Sequence, residues 1–190
     1  MGHDRGGRVA YRMAMDHPER VQRLVVLDIS PTRLMFARTD QAFATAYYHW
    51  FFLIQPFDLP ERLIGADPSY YLRRKLGGLS SGLQHFDSRA LAEYERCFAD
   101  PATIHATCED YRAAASIDLD HDLADGDTRI RCPVLVLWGE RGVIHRQFKP
   151  LEDWKRVADD VSGRTLPCGH FLAEEAPDAT LNEMLTFLVD

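Results

Sequence analysis

At 190 residues, the chain is long enough to bury one hydrophobic core and a small second lobe. Its 46% hydrophobic and 27% charged residues are ordinary for a globular protein, and the net charge of −7 argues against binding to nucleic acid or to an anionic membrane. No apolar run approaches the ~20 residues that span a bilayer. The four cysteines form no zinc-ligand pattern, so we expect reduced thiols in a cytoplasmic protein.

The chain opens on Gly2-His3-Asp4-Arg5-Gly6, which has the glycine–X–nucleophile–X–glycine spacing of a strand-to-helix elbow. A carboxylate at the central position is suited to attack on saturated carbon, which leaves an ester on the enzyme. The helix predicted next, over residues 6–17, would keep the Asp4 carboxylate ionised at its N-terminus. The alternative role for Asp4 is that of an ordinary helix cap. Because no strand is predicted before the elbow, we interpret the chain as the back part of a larger enzyme.

Arg5 and Arg8 are three residues apart and fall on the first turn of this helix. Two guanidinium groups beside a nucleophile suit a substrate that carries its own carboxylate, which they could hold bidentately. The alternative is that both arginines face solvent.

Two continuous aliphatic runs, at residues 21–28 and 132–139, predict buried strands of a parallel sheet. Asp28 ends the first run, where a charge is rarely left without a partner, and it is our candidate for the acid that orients a catalytic histidine. The usual place for this acid follows the second run, where Gly142 stands instead. Glu140 is the fallback, and capping of the next turn is the alternative role for Asp28.

Residues 33–125 have a different character and predict a helical cap inserted between the two aliphatic strands. This segment is aromatic-rich and is interrupted by Pro56, Pro60, Pro68 and Pro101. Its acidic stretch at residues 118–122 is predicted to be a solvated linker. The core is therefore predicted at residues 1–32 and 126–190.

Three residues of the cap segment, His49, Trp50 and Tyr111, bring N–H and O–H donors that together would suit a departing halide. Since aromatic residues on helices are usually core residues, packing is the alternative role for each.

Beyond the second aliphatic run, the pattern predicts a helix at 148–158, a short strand at 161–166 and a last helix at 176–188. The last helix is expected to place four apolar residues on one face: Leu181, Met184, Leu185 and Leu188. Strands that alternate with helices predict an α/β fold.

His170 lies on the loop after the last predicted strand, in Pro167-Cys168-Gly169-His170-Phe171. This position is typical of a general base that follows its nucleophile and acid in the chain. Its task would be to activate water against the ester on Asp4. The alternative is a buried structural histidine.

These motifs together resemble those of the fluoroacetate (haloacetate) dehalogenases of the α/β-hydrolase superfamily, in the same order and over nearly the whole chain. They are Gly2-His3-Asp4-Arg5-Gly6-Gly7-Arg8, Leu27-Asp28-Ile29, Tyr48-His49-Trp50, Cys108-Glu109-Asp110-Tyr111-Arg112 and Gly169-His170-Phe171-Leu172-Ala173-Glu174-Glu175. The resemblance implies an α/β-hydrolase fold with an inserted helical cap, of which this chain holds the C-terminal part of the sheet. The resemblance also implies N-terminal strands and an oxyanion loop before the elbow, which we expect this chain to lack.

The resemblance also implies a role for each candidate residue. Asp4 would be the nucleophile, with Asp28 and His170 completing a catalytic triad. Arg5 and Arg8 would bind the substrate carboxylate.

The cap residues His49, Trp50 and Tyr111 would bind the halide released from a short 2-haloacid. The resemblance implies no metal, no organic cofactor and a homodimer. Two alternatives stay open, an epoxide hydrolase of the same fold and an inactive truncated fragment.

Overall fold

The computed structural model describes residues 1–189, which divide into two compact units. The first unit comprises Met1–Arg38 and residues 125–189, and the second comprises Thr39–Ala124. The sequence pattern predicts that the inserted segment spans residues 33–125. In the structure, residues 33–38 and residue 125 belong to the first unit instead. Residue 190, the predicted end of the last core segment, lies outside the described residues.

The first unit is built on a four-stranded parallel sheet in the order β1-β2-β3-β4, which agrees with the predicted α/β fold. The strands are β1 (Gly2–His3), β2 (Leu24–Leu27), β3 (Val134–Gly139) and β4 (Val161–Leu166). All residues of β2 and β3 are buried, as expected for aliphatic runs covered on both faces. The expectation that no strand precedes the elbow is wrong, because Gly2 and His3 pair in parallel with Val26 and Leu27.

The helices follow in chain order. They are α1 (Arg5–Asp16), α2 (Thr32–Ala37), α3 (Gln41–Ala46), α4 (Tyr48–Phe52), α5 (Leu59–Gly65), α6 (Pro68–Leu79), α7 (Ser88–Phe98), α8 (Pro101–Ala114), α9 (Ile117–Ala124), α10 (Val143–Gln147), α11 (Pro150–Trp154), α12 (Leu172–Glu175) and α13 (Pro177–Val189). Short 3₁₀ turns lie at Pro18–Arg20 and Leu83–His85. None of the helices in residues 1–189 combines the length and the apolar composition that a membrane span requires.

Helices α1 and α11 pack against the sheet and meet through two aromatic rings. Tyr11 of α1 contacts Trp154 of α11 edge to face at 5.8 Å, and the indole N–H of Trp154 donates to the carbonyl of Ile29 at 2.8 Å. The predicted helix at 148–158 is shorter in the structure. It ends at Trp154 because the guanidinium of Arg129 donates to the next carbonyls, those of residues 155, 156 and 158.

Helix α13 covers a buried cluster of the sheet, but not through the predicted face. The cluster consists of Val25, Leu27, Leu135, Leu137, Leu166, Cys168 and Leu172. Of the four predicted apolar residues only Met184 packs against it, together with Phe187, whereas Leu181, Leu185 and Leu188 are about half exposed. The apolar stripe of α13 is wider than its contact with the sheet, so hydrophobic spacing alone did not identify the buried edge.

The second unit consists of helices α3–α9 around an aromatic core. Four helices begin at an aspartate whose side chain accepts backbone N–H groups: Asp40, Asp67, Asp87 and Asp100. Pro68 and Pro101 directly follow two of these caps, so these prolines begin helices rather than interrupt them. The prediction of a solvated linker is wrong, because residues 118–122 lie within α9 and Asp122 is buried.

Candidate active site

Asp4 occupies a sharp turn between β1 and α1. Its φ of 49° is in the left-handed region, which a non-glycine residue adopts only at a cost of about 1–3 kcal/mol. A side chain on Gly2 would collide with the Gly6 carbonyl, whereas one on Gly6 would enter open space. The second steric requirement falls on Gly7 instead, where a Cβ would lie 2.8 Å from Ile29. The turn therefore depends on Gly2 and Gly7.

The carboxylate of Asp4 points to His170 and makes no capping hydrogen bond to α1. His170 Nε2 lies 3.2 Å from Asp4 Oδ2, and the side chain of Asp4 is 27% exposed. On the other side of the ring, Nδ1 donates to Asp28 Oδ2 at 2.6 Å, because a carboxylate can only accept. The structure thus brings the three predicted residues Asp4, His170 and Asp28 into one hydrogen-bonded chain.

Asp28 is held rigidly at the end of β2. Its φ is also 49°, and its second oxygen, Oδ1, accepts the N–H of Gly139 at 3.0 Å. A Cβ on Gly142 would lie 3.3–3.4 Å from both carboxylate oxygens of Asp28, so the two positions compete for the same space. Glycine at 142 leaves that space to the Asp28 carboxylate. The fallback residue, Glu140, is half exposed and pairs with Arg141.

His170 is almost fully buried between the two carboxylates. Burial acts to lower the pKa of His170, but the hydrogen bonds to Asp28 and Asp4 outweigh it and raise the pKa to about 10. With both carboxylates ionised, the ring is therefore an imidazolium that donates from both nitrogens. It becomes a base only if one of the two negative charges is removed.

Two further residues hold the loop that carries His170, and sequence reasoning missed both. His3 Nε2 donates to the carbonyl of His170 at 2.8 Å, and the two rings are 4.5 Å apart. Burial and the nearby His170 lower the pKa of His3, which favours its neutral form. Glu175, with a fully buried side chain, accepts the N–H of Gly169 at 2.9 Å and that of Phe171 at 3.2 Å. Both residues stand in motifs quoted above, but their contacts are to backbone atoms and leave no pattern in the sequence.

Arg5 and Arg8 lie on the first turn of α1, directly after Asp4. Arg8 is buried, and its guanidinium carbon lies 5.0 Å from the ring of Tyr11. A buried guanidinium one turn from a helix N-terminus places positive charge where the helix dipole also favours an anion.

His49, Trp50 and Tyr111 come together within the second unit. The ring of Tyr111 on α8 meets His49 at 5.6 Å and Trp50 at 6.1 Å, in both cases edge to face. All three are buried, and Tyr47 stacks on Trp50 at 6.2 Å. One N–H, one O–H and one imidazole thus lie within one aromatic cluster.

One group of side chains in the second unit has metal-ligand spacing: Glu61, His105 and Glu109. Arg112 donates to Glu61 at 2.7 and 3.1 Å and also to Glu109. The hydrogen bonds to Arg112 lower the pKa of Glu61 to about 2. The guanidinium pairs with both carboxylates, so the arrangement is that of an ion-pair network.

The parallel sheet, the strained elbow and the acid–histidine pair are the features of an α/β-hydrolase fold. The chain belongs to the alpha/beta hydrolase fold family, whose model matches residues 1–177. The predicted fold is therefore confirmed.

Individual relatives extend this assignment. A fluoroacetate dehalogenase from Burkholderia sp. is 43% identical over 191 residues, which cover 100% of this chain and 63% of that protein. A soluble epoxide hydrolase from Corynebacterium sp. (strain C12) is 31% identical over 194 residues, covering 98% of this chain and 65% of that protein. The crystal structure of ALR0039 from Nostoc sp. PCC 7120 is 61% identical with a TM-score of 0.97, covering 98% of this chain and 64% of that one. The resemblance to fluoroacetate dehalogenases is confirmed, and the chain spans roughly two thirds of the length of these relatives.

Proposed function

We propose that the protein hydrolyses the carbon–halide bond of a short 2-haloacid such as haloacetate, and releases a 2-hydroxy acid and halide. One observation carries the proposal. A partly exposed carboxylate, that of Asp4, stands at a strained elbow and meets a histidine that a second, buried carboxylate orients. A carboxylate in this position can attack saturated carbon and leave an ester that the histidine then removes.

In the first step, an oxygen of Asp4 attacks the carbon that bears the halogen, and the carbon–halogen electron pair leaves with the halide. This displacement needs no proton transfer. Arg5 and Arg8 bind the substrate carboxylate, since their positive charge at the start of α1 compensates the negative charge of the anion. His49, Trp50 and Tyr111 donate N–H and O–H groups to the departing halide.

In the second step, His170 acts as the general base. Esterification removes the negative charge of Asp4 and with it part of what raises the pKa of His170. The ring then loses its Nε2 proton to solvent and accepts a proton from a water molecule that attacks the ester carbonyl. Collapse of the tetrahedral intermediate returns the Asp4 carboxylate and releases the hydroxy acid. The proton from water makes His170 an imidazolium again. Asp28, which accepts the hydrogen bond from Nδ1, stabilises this charged ring.

The test is halide release from fluoroacetate and chloroacetate by the wild type and two variants. Asp4→Asn is expected to release no halide beyond what slow deamidation explains. His170→Ala is expected to release at most one equivalent per protein molecule and to accumulate an ester on Asp4, which mass spectrometry of the intact chain detects. Sustained halide release by Asp4→Asn would refute Asp4 as the attacking group.

An epoxide hydrolase of the same fold is the second candidate, because a soluble epoxide hydrolase is 31% identical to this chain. That chemistry also uses an aspartate at the elbow, but its neutral substrate gives no role to two arginines beside it. Incubation with styrene oxide and with haloacetate separates the two functions. Diol formation without halide release would favour the epoxide hydrolase.

Two further proposals are a homodimer, which rests on the resemblance, and a cytoplasmic location, which rests on the cysteine pattern. Light scattering after size-exclusion chromatography tests the first, and fractionation of the source cells tests the second. An inactive fragment remains the alternative, and a failure of both substrates to react with the wild type would support it.

A further inference from the structure

Lys75 lies against His49 within the second unit. Its Nζ on α6 is 2.8 Å from His49 Nδ1 on α4 and 4.8 Å from the ring centre of Tyr48. His49 is only 4% exposed, whereas Lys75 is half-buried, so the contact is partly shielded from solvent. No local sequence pattern indicates this contact, because 26 residues separate the two positions.

The donor inventory of the two side chains fixes the direction of this hydrogen bond. An ammonium group has three donors and no acceptor, so His49 Nδ1 must accept. A neutral imidazole that accepts at Nδ1 carries its hydrogen on Nε2. In the same unit, Nδ1 of His105 faces the carboxylate of Glu61 at 3.2 Å and must donate. At Nδ1, His49 is therefore an acceptor, whereas His105 is a donor.

We propose that Lys75 is a positioning residue for halide binding: it fixes His49 in the form that donates from Nε2 and adds a positive charge behind the ring. The inference rests on the proposed function, which it deepens by naming what makes His49 a donor. Loss of the donor at Nδ1 removes the contribution of Lys75 to this preference for protonation at Nε2, so the form protonated at Nδ1 becomes more populated. A halide would then select the right form at binding and would lose part of its affinity.

The charge of Lys75 has a second consequence for halide selectivity. Fluoride concentrates its charge in a smaller volume than chloride and makes stronger hydrogen bonds. A fixed donor that a cation polarises therefore stabilises fluoride more than chloride. Removing Lys75 is expected to weaken fluoride binding by about tenfold or more and chloride binding less.

The first test reads the ring state directly and needs no activity. Nitrogen-15 NMR of the histidine side chains distinguishes a ring protonated at Nε2 from one protonated at Nδ1. We expect His49 to carry its hydrogen on Nε2 in the wild type and in Lys75→Arg, which keeps a donor. In Lys75→Met the signal should move toward a mixture of forms. A wild-type His49 protonated at Nδ1, or an unchanged signal in Lys75→Met, would overturn the inference.

The second test measures inhibition of the wild type and of the variants by fluoride and chloride. Lys75→Met should lose fluoride affinity, Lys75→Arg should regain most of it, and Lys149→Met is the control because Lys149 is an exposed residue of the first unit. Equal fluoride inhibition of the wild type and Lys75→Met overturns the inference while the proposed function stands. No halide release from either substrate by the wild type removes the proposed function and this role of Lys75 with it, although the ring state would still be as stated.

Discussion

Replacing Asp28 by asparagine tests how the histidine is oriented, with almost no change in side-chain shape. The two oxygens of Asp28 accept two different donors, the N–H of Gly139 at 3.0 Å and Nδ1 of His170 at 2.6 Å. Asparagine has one acceptor oxygen and one NH₂ group, so it can satisfy only one of them as before. If its oxygen stays on Nδ1, the NH₂ faces the buried N–H of Gly139, at a cost of about 1–3 kcal/mol.

The alternative orientation avoids that cost but reverses the histidine. The oxygen then accepts from Gly139, and the NH₂ donates to Nδ1, so the ring hydrogen moves to Nε2. Nε2 can no longer accept a proton from water, and no negative charge remains behind the ring. We expect ester hydrolysis to slow by about 10⁴-fold, the size of effect known for an aspartate-to-asparagine exchange behind another catalytic histidine.

The assay separates the two steps. Because attack by Asp4 needs no base, Asp28→Asn should release close to one equivalent of halide rapidly and then turn over very slowly. Rapid-quench measurement of halide gives both phases, and intact-mass spectrometry detects the ester. The matched control is Asp153→Asn, which removes another buried carboxylate, one paired with Arg38 at 2.7 Å. It should lower stability without changing the ratio of the phases. A steady-state rate of Asp28→Asn within about tenfold of the wild type would refute this account.

Three further predictions concern the elbow, the histidine loop and pH. Gly2→Ala should lower the free energy of unfolding by about 2 kcal/mol or more, because its methyl would collide with the Gly6 carbonyl. Gly6→Ala, whose methyl enters open space, should raise it by up to about 1 kcal/mol. Urea unfolding measures both changes, and equal effects would contradict the geometry. Glu175→Gln can accept only one of the two partly buried N–H groups as before and should lower the free energy of unfolding by about 1–3 kcal/mol. Glu183→Gln, at a more exposed ion pair, should change it by less than about 0.5 kcal/mol. Because the pKa of His170 is raised from 6.5 to about 10, its ionisation stabilises the fold fully below pH 6.5 and this contribution is lost as the pH rises to about 10. The free energy of unfolding of the wild type relative to His170→Gln should therefore fall across that window, with a slope of at most about 1.4 kcal/mol per pH unit, and a flat difference would contradict the shift.

The two central strands, β2 and β3, could be predicted from sequence because they are uninterrupted aliphatic runs, whereas the short strand β1 has no such run. The role of Asp28 could also be predicted, since a carboxylate that ends an aliphatic run is unusual. The usual place for the acid, after β3, is occupied by Gly142, which has no carboxylate. The ends of the helices could not be predicted in the same way. Helix α11 ends at Trp154, just before the carbonyls of residues 155 and 156 to which Arg129, more than 20 residues earlier, donates.

The remaining misses share a physical cause, which is that tertiary contacts decide what local patterns leave open. The acidic stretch at 118–122 lies within a helix, and one of its aspartates, Asp122, is buried, although the local pattern is that of a solvated segment. The apolar stripe of α13 offers two edges, and only packing on the sheet chooses between them. Lys75 meets His49 across two helices, so neither residue carries a signal of the other.

The two strained aspartates are joined by the hydrogen-bond ladder itself. The amide of Asp4 donates to the carbonyl of Leu27, at the end of β2, and the amide of Asp28 donates to that of Leu137 in β3. A backbone hydrogen bond to the neighbouring strand therefore fixes the position of each aspartate along the sheet. The distance between nucleophile and acid follows from the constant spacing of parallel strands. Substitutions on the faces of the sheet leave that spacing unchanged. A single residue inserted between positions 24 and 28 would move the Asp28 carboxylate out of hydrogen-bonding distance of His170.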